Sequence, residues 1–426
     1  MSQVFVIDAN KKPLTPIHPG EARRLLTKQR AAVYRCYPFT IILKEAKPNV
    51  TPAPLRVKID PGAKTTGLAL VNDATGEVVW AAELTHRGEQ VKAKLDDRRS
   101  QRRGRRQRHT RYRAPRFDNR TRPTGWLPPS LQSRIQNVLT WVERLCHLAP
   151  ISAISQELVR FDMQLMQDAE ISGVAYQQGE LAGYEIREYL LEKWRRCCVY
   201  CGIKDVPLQV EHIVPKARGG TNRVANLTLA CEPCNQRKGA MTAQEFGYPD
   251  VQTQAKKPLK DASAVNTTRW ALYERLQATG LPVETGTGGR TKWNRTTRQL
   301  PKTHWRDAAC VGASTPEQLR TTGVSPLLIT ATGRQRRQMC LMDSFGFPRT
   351  KGKGKSTVQG FRTGDMAKAI IPTGTKVGTY VGRVAVRETG SFNITTAAGT
   401  VQGLNATYFT AIQRMDGYSY QKGRSA

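Results

Sequence analysis

The sequence predicts a multidomain α/β protein. One sheet is assembled from strands far apart in the chain, a compact ββα unit is inserted between them, and an all-β module follows. Three observations predict this. Apolar runs ending in a carboxylate recur at Leu55–Asp60 and Ile151–Glu157. Two Cys-x-x-Cys pairs, Cys198 with Cys201 and Cys231 with Cys234, bracket a short segment with strand and helix signals. Short alternating segments between turn residues fill residues 366–412. A length of 426 residues suits about two to four domains.

Composition narrows the partners. The chain has 67 Lys and Arg against 34 Asp and Glu, a formal charge of +33. A fold so charged repels itself unless a polyanion neutralises it, so the expected partner is nucleic acid, and a large one. Of nine cysteines, four fall in the two pairs; Cys36, Cys146, Cys197, Cys310 and Cys340 are scattered singles. That is no disulfide framework and suits a reducing cytosol. No 18-residue apolar run and no signal peptide is apparent, so the expectation is a soluble intracellular protein without a membrane partner.

Residues 1–50 read as a small basic α+β module: a strand at Val4–Asp8, a turn at Pro13–Pro16, a helix at Glu21–Lys28 and a strand at Phe39–Leu43. Three prolines make Lys47–Pro54 a linker. Leu55–Asp60 alternates and predicts a half-buried strand with Asp60 at its polar end. After a turn at Pro61-Gly62, Gly67–Val71 and Glu77–Leu84 are the next strands. A three-strand meander with a carboxylate on its first strand is how an RNase H-like sheet begins. Alone, an Asp at a strand end such as Asp60 is usually a turn former.

Arg87–Arg122 holds 15 Lys and Arg against four acids. Its Val91–Tyr112 part is helix-forming, and Arg98, Arg99, Arg102, Arg103, Arg105 and Arg106 cover most of the circumference. Such a helix has no core face and must be wrapped by phosphate or stay unfolded; Arg suits bidentate phosphate contacts. A localisation signal or solvated tail is the bland alternative, but the segment is internal. Pro128-Pro129-Ser130 caps a helix whose Leu131, Ile135, Val138, Leu139, Val142 and Leu145 form one face. The strand Ile151–Glu157 follows, and Ser172–Arg196 reads as a helix leading into the cysteine unit.

Residues 244–265 read as a polar linker and Thr267–Thr279 as a helix. Gly286–Gly289 with Arg290, Lys292, Asn294 and Arg295 reads as a basic loop, without the Lys-Ser/Thr ending of a P-loop. In the helix at His304–Val311, His304 and Asp307 share a face. Asp60, Glu157 and Asp307, with His304, therefore sit on separate elements, and two-metal phosphodiester hydrolysis needs such carboxylates converging on two Mg²⁺. Gln335–Lys355 is basic and Gly-rich, and the strands after it predict a small β-barrel.

A two-residue gap lets both sulfurs of one turn reach one ion, so Cys198, Cys201, Cys231 and Cys234 predict a tetrahedral zinc site. Cys197 competes with Cys198, but the spacing favours Cys198. Closed by four sulfurs, the zinc is structural, and chemistry must come from between the pairs. A strand ending at Glu211-His212, a Gly-rich turn and a helix starting near Cys234-Asn235 make the ββα unit. His212 is placed to take a proton from water, and Glu211 and Asn235 to hold a divalent cation. A zinc ribbon that only binds nucleic acid is the competing reading; Asn226 and Asn235 in register with His212 oppose it.

This pattern resembles the HNH endonuclease family. The resemblance implies His212 as general base, Glu211 and Asn235 as ligands of one Mg²⁺, and Asn226 as the residue orienting His212; many relatives have Asp where this chain has Glu211. Over its whole length the order of motifs resembles the IscB family of transposon-encoded, RNA-guided DNA endonucleases. The motifs are Pro13-Leu14-Thr15-Pro16 (Pro-Leu-Met-Pro in the family), Ile59-Asp60-Pro61-Gly62, the arginine helix, Gln156-Glu157, the HNH unit, His304-Trp305-Arg306-Asp307 and a β-rich tail.

That resemblance implies an RNase H-like RuvC domain split into residues 55–86, 128–185 and 265–325. It implies a bridge helix at 87–122, an HNH unit at 186–250, and a module at 326–426 that reads a motif beside the target and contacts RNA. Asp60, Glu157, His304 and Asp307 with two Mg²⁺ would cut the displaced strand, and His212 the guide-paired strand. Arg98, Arg99, Arg102, Arg103, Arg105, Arg106, Arg108, Arg111 and Arg113 would grip nucleic acid. The implied partners are a large structured guide RNA and target duplex, in a monomeric ribonucleoprotein of the prokaryotic cytosol. An unguided HNH homing or restriction-type nuclease, and a guided binder with inactive centres, are the alternatives.

Overall fold

The computed structural model describes residues 2–108, 126–158, 187, 190–191, 193–256, 262–333, 340–341, 343–344, 347–351 and 356–424, the side chains of 262–267 excepted. Arg111, Arg113, most of the expected helix Ser172–Arg196 and most of the expected basic loop Gln335–Lys355 lie outside these residues.

The chain opens with a four-stranded sheet of β1 (Val4–Ile7), β2 (Pro13–Ile17), β3 (Ala31–Arg35) and β4 (Thr40–Leu43), in the order β2-β1-β4-β3, with helix α1 (Pro19–Thr27) between β2 and β3 in sequence. The turn expected at Pro13–Pro16 is instead strand β2. Its prolines are tolerated because β2 is an edge strand: Pro13 opens it, and Pro16 falls where its register to β1 slips.

Strands β5 (Leu55–Asp60), β6 (Thr65–Val71) and β7 (Val78–Thr85) form an antiparallel meander. Helices α2 (Gly88–Gln107) and α3 (Pro129–Leu148) follow, and β8 (Ile151–Glu157) returns parallel to β5. The chain then builds a separate antiparallel pair, β9 (Leu208–His212) and β10 (Leu227–Cys231), closed by helix α4 (Glu232–Lys238). Helices α5 (Asp250–Lys256) and α6 (Ala262–Gln277) lead back to β11 (Val283–Gly286), parallel to β8, then to helices α7 (Gly288–Thr297) and α8 (His304–Ala309) and to β12 (Leu327–Ala331), parallel to β7.

A module of β13 (Thr357–Val358), β14 (Phe361–Arg362), β15 (Met366–Ile371), β16 (Gly378–Ala385), β17 (Ser391–Thr396), β18 (Gly399–Asn405) and β19 (Phe409–Gln413) precedes β20 (Tyr418–Lys422). With β20 paired to β12, the large sheet runs β11-β8-β5-β6-β7-β12-β20.

Packing explains where elements depart from expectation. The alternation of β5 suggests a half-buried strand, yet Lys58 is fully buried, because the chain after α8 covers that face. Its Nζ donates to Val311 O (2.8 Å), Thr315 Oγ1 (3.1 Å) and Ser314 Oγ (3.2 Å). The loop expected at 286–295 is mostly helix α7. Its inward face is polar, so periodicity missed it: Asn294 Nδ2 donates to Cys310 O and Gly312 O at 2.9 and 3.0 Å. The linker expected at 244–265 holds α5, whose Val251 and Ala255 are buried one turn apart against the cysteine unit.

Helix α3 covers the large sheet. Its fully buried Trp141 stacks on Trp80, ring centres 6.1 Å apart. Deleting such a side chain costs about 3–5 kcal/mol. In α2 only Gly88 is buried, as a helix charged all round requires. Where a small β-barrel is expected, the described residues form a five-stranded sheet, β18-β17-β16-β15-β19, with no β18–β19 pairing among them, packed on Phe361, Phe392 and Phe409. No helix among the described residues is long and apolar enough to cross a membrane.

Candidate functional site

Asp60 and Glu157 are the last residues of β5 and β8. These strands are parallel neighbours with Ile59 opposite Gln156, so both carboxylates leave the same end of the sheet. Helix α8 brings His304 and Asp307 to that end by lying close on β6. Gly67 permits this approach, since a Cβ there would stand 1.9 Å from His304 O. All four side chains line one cavity of about 590 Å³.

Among the arginines that line the cavity are Arg269 and Arg295. Arg269 Nη2 donates to Glu157 Oε1 at 3.3 Å, and its Nε donates to Pro61 O at 3.1 Å. Arg295 Nε stands 2.8 Å from Asp307 Oδ1 as an ion pair. Burial pushes the Asp307 carboxyl up, against the pull of Arg295, and the nearby Glu157 charge adds to the rise. Buried carboxylates that recruit cations in this way are the donor set a hard divalent ion needs. The oxygens are not drawn to ligating spacing: among the described residues, the four paired cysteines are the one group of three or more potential ligands within 4.8 Å of one another. The cysteine unit supplies part of the cavity wall through Asp205, Val206 and Leu208.

In that unit Cys198 and Cys201 lie in the turn before β9, Cys231 ends β10, and Cys234 lies in the first turn of α4. Cys201 Sγ and Cys231 Sγ are 3.6 Å apart. A tetrahedral zinc with bonds of about 2.3 Å has sulfur–sulfur edges of about 3.8 Å, so the four sulfurs fit zinc. Cys197 is turned away, its Sγ donating to Trp194 O at 2.9 Å. Burial opposes it, yet backbone N–H donors draw the Cys198 thiol below its ordinary range, while burial and the neighbouring sulfurs push Cys234 up.

The residues between the pairs depart from expectation. His212 Nε2 lies 2.9 Å from Asn222 Oδ1, so the side chain touching the imidazole is Asn222, not Asn226. Asn226 instead pins the loop: Val214 N donates to its Oδ1 at 2.9 Å, and its Nδ2 donates to Val214 O and Thr221 O at 3.0 and 2.9 Å. Glu211 is buried, accepting from Tyr200 Oη at 2.7 Å and paired with Lys238 Nζ. Asn235 Nδ2 donates to Gln209 Oε1 at 2.7 Å. Glu211 and Asn235 therefore have separate partners and do not form a common cation site in this arrangement. The carboxylate lies on the core side of β9, where the sequence alone suggests an open ligand.

The arginines Arg98, Arg99, Arg102, Arg103, Arg105, Arg106 and Arg108 are exposed along and just after α2. Sequence reasoning missed Asn222, Lys238, Arg269 and Arg295 as site neighbours. Asn222 follows the Gly219-Gly220 turn, a usable signal; the others carry none, because basic residues are too common in this chain.

Residues 4–179 match the family model described as RRXRR protein, and residues 198–241 match that of the HNH endonuclease. The chain thus carries an HNH endonuclease domain. None of the curated proteins matches the chain. Among solved structures, it is similar to Streptococcus thermophilus Cas9 in complex with the GGAA PAM, at 13% identity and a TM-score of 0.26, covering 60% of this chain and 32% of that one. It is also similar to the Type II-C Cas9 enzyme from Actinomyces naeslundii, at 20% identity and a TM-score of 0.15, covering 41% and 25%. The chain spans about a third or less of the length of these nucleases.

Proposed function

We propose that this chain, with an HNH endonuclease domain behind an RRXRR protein segment, is an RNA-guided DNA endonuclease of the IscB kind with two cutting centres, working in the prokaryotic cytosol. The observation that carries the reading is convergence. Asp60, Glu157 and the His304–Asp307 pair come from three separated segments, with the HNH domain inserted before the third, and meet at one cavity. The sheet supports a split RuvC domain, since the β5–β7 meander is extended on its first strand by parallel β8 and β11.

Two Mg²⁺ held by Asp60, Glu157, Asp307 and His304 would supply charge relief and an activated water for hydrolysis of the displaced strand. Arg269 and Arg295 hold the carboxylates in place and meet phosphate charge. In the HNH domain His212 takes the proton from the attacking water on the guide-paired strand. Magnesium there would be held by Glu211 and Asn235, which must first exchange Lys238 and Gln209. The exposed arginines of α2 fit a bridge helix on guide RNA and heteroduplex, with base pairing choosing the target and the C-terminal module reading a flanking motif.

The test is strand-resolved cleavage of a labelled target duplex by the chain expressed with its native flanking DNA and co-purified RNA. Asp60→Ala should spare the displaced strand and His212→Ala the guide-paired strand, each lowering its own cut by about a hundredfold or more. Loss of both cuts from either change refutes two centres, and cleavage without RNA refutes guidance. A guided binder with a silent HNH centre is favoured by one observation, the Lys238 and Tyr200 contacts that engage Glu211. An Asp60→Ala protein that nicks the guide-paired strand excludes it.

A further inference from the structure

Helix α7 presents to solvent an indole that the fold does not use. Trp293 is 61% exposed, and among the described residues no aromatic ring packs on it. The helix is held by Asn294, which binds the carbonyls of Cys310 and Gly312, and by Arg298 just after it, whose Nε donates to Pro316 O at 2.8 Å. Arg290, Lys292 and Arg295 accompany Trp293 on α7, which has no acidic residue. On one flank Thr291, Lys292 and Arg295 line the carboxylate cavity. On the other, Trp293, Arg298, Glu317 and Gln318 line an open cleft of about 520 Å³.

An exposed aromatic face among cations is the pairing that binds single-stranded nucleic acid, where bases stack on rings and phosphates meet the charges. A base inside a duplex has both faces covered by its neighbours and cannot use the indole. We propose that single-stranded DNA crosses α7 on its way to the carboxylate cavity, with one base stacked on Trp293 and its phosphates beside Arg290 and Lys292. The base edge then faces the cleft, where Glu317 and Gln318 offer hydrogen-bonding groups. The ten-residue helix is about 15 Å long, enough for a few nucleotides. This rests on the reading that the cavity cuts a displaced strand, and it names how that strand is fed in.

The test is photocross-linking of the full chain, without magnesium, to a single strand carrying 5-iodouracil, with adducts mapped by peptide mass spectrometry. A Trp293 adduct is expected, kept in Trp293→Phe and reduced at least fivefold in Trp293→Leu. Anisotropy titration of an oligo-dT strand should show Trp293→Leu binding about fivefold or more weakly, with an unchanged salt slope, because stacking releases no counterions. Adducts confined to other elements, or Trp293→Leu binding within twofold of the unchanged chain, overturn the proposal. Neither assay needs a guide. A Trp293 adduct in a chain that shows no guided cleavage refutes only the proposed activity.

Discussion

Lys58 shows what a single side chain contributes beneath the cavity. It lies two residues before Asp60, and its ammonium ties β5 to the segment following α8 through Val311, Ser314 and Thr315. Burial pulls its pKa down to about 8 from 10.5, with Glu284 opposing. The folded chain therefore releases this proton before the unfolded chain does. Between about pH 8 and 10.5 the unfolded state holds more protons, and the Lys58 contribution to stability rises with pH, by at most about 3 kcal/mol. In Lys58→Met that rise is absent, so the melting temperature of the unchanged chain should gain on the variant from about pH 8 to pH 10. A constant gap across that range contradicts a depressed Lys58. Asp60 and Glu157 were legible because each ends an apolar run. Lys58 was not, because alternation assigns it to solvent and only the tertiary cover reverses that.

Elements were legible where their apolar period was complete, as in β5, β8 and α3, and illegible where polar contacts replaced it, as in α7. The order of carboxylate-bearing segments was readable; the closeness of α8 to the sheet was not, since it depends on a missing side chain. A Cβ at Gly67 would meet His304 O at 1.9 Å and the Ala308 side chain at 3.1 Å. Backbone cannot yield as a flexible side chain does, so Gly67→Ala should lift α8 and cost about 1–3 kcal/mol. Because His304 and Asp307 ride on α8, the expected outcome is loss of displaced-strand cutting, with the guide-paired cut retained by the separately cored HNH unit. Equal loss of both cuts in a strand-resolved assay would mean that α8 is not what the glycine protects. The HNH unit stands apart energetically too, since a closed thiolate site contributes folding free energy when loaded.

At the scale of the whole molecule the excess of 33 positive charges sets opposite expectations for the free chain and for the proposed RNA-bound form. The exposed arginines of α2 outnumber its acids Glu89, Asp96 and Asp97, and the same like-charge repulsion acts across the surface. Added salt screens that repulsion, with a Debye length of about 10 Å at 0.1 M falling to about 3 Å at 1 M. The melting temperature of the RNA-free chain should therefore rise with salt. In the proposed ribonucleoprotein the RNA would supply the neutralising charge, and salt would weaken its binding by competing for the phosphates. A ligand at free concentration c that binds the folded state stabilises it by RT ln(1 + c/Kd), so a rise in Kd with salt lowers the melting temperature. The complex should thus melt lower as salt increases, and the two curves should converge at high salt, where little RNA stays bound. Differential scanning fluorimetry on both forms across a salt series reads this directly. A free chain that loses stability with salt would show that internal ion pairs, such as Arg56 with Asp73 and Arg144 with Asp416, outweigh the net charge, and that the surface needs no polyanion to settle it.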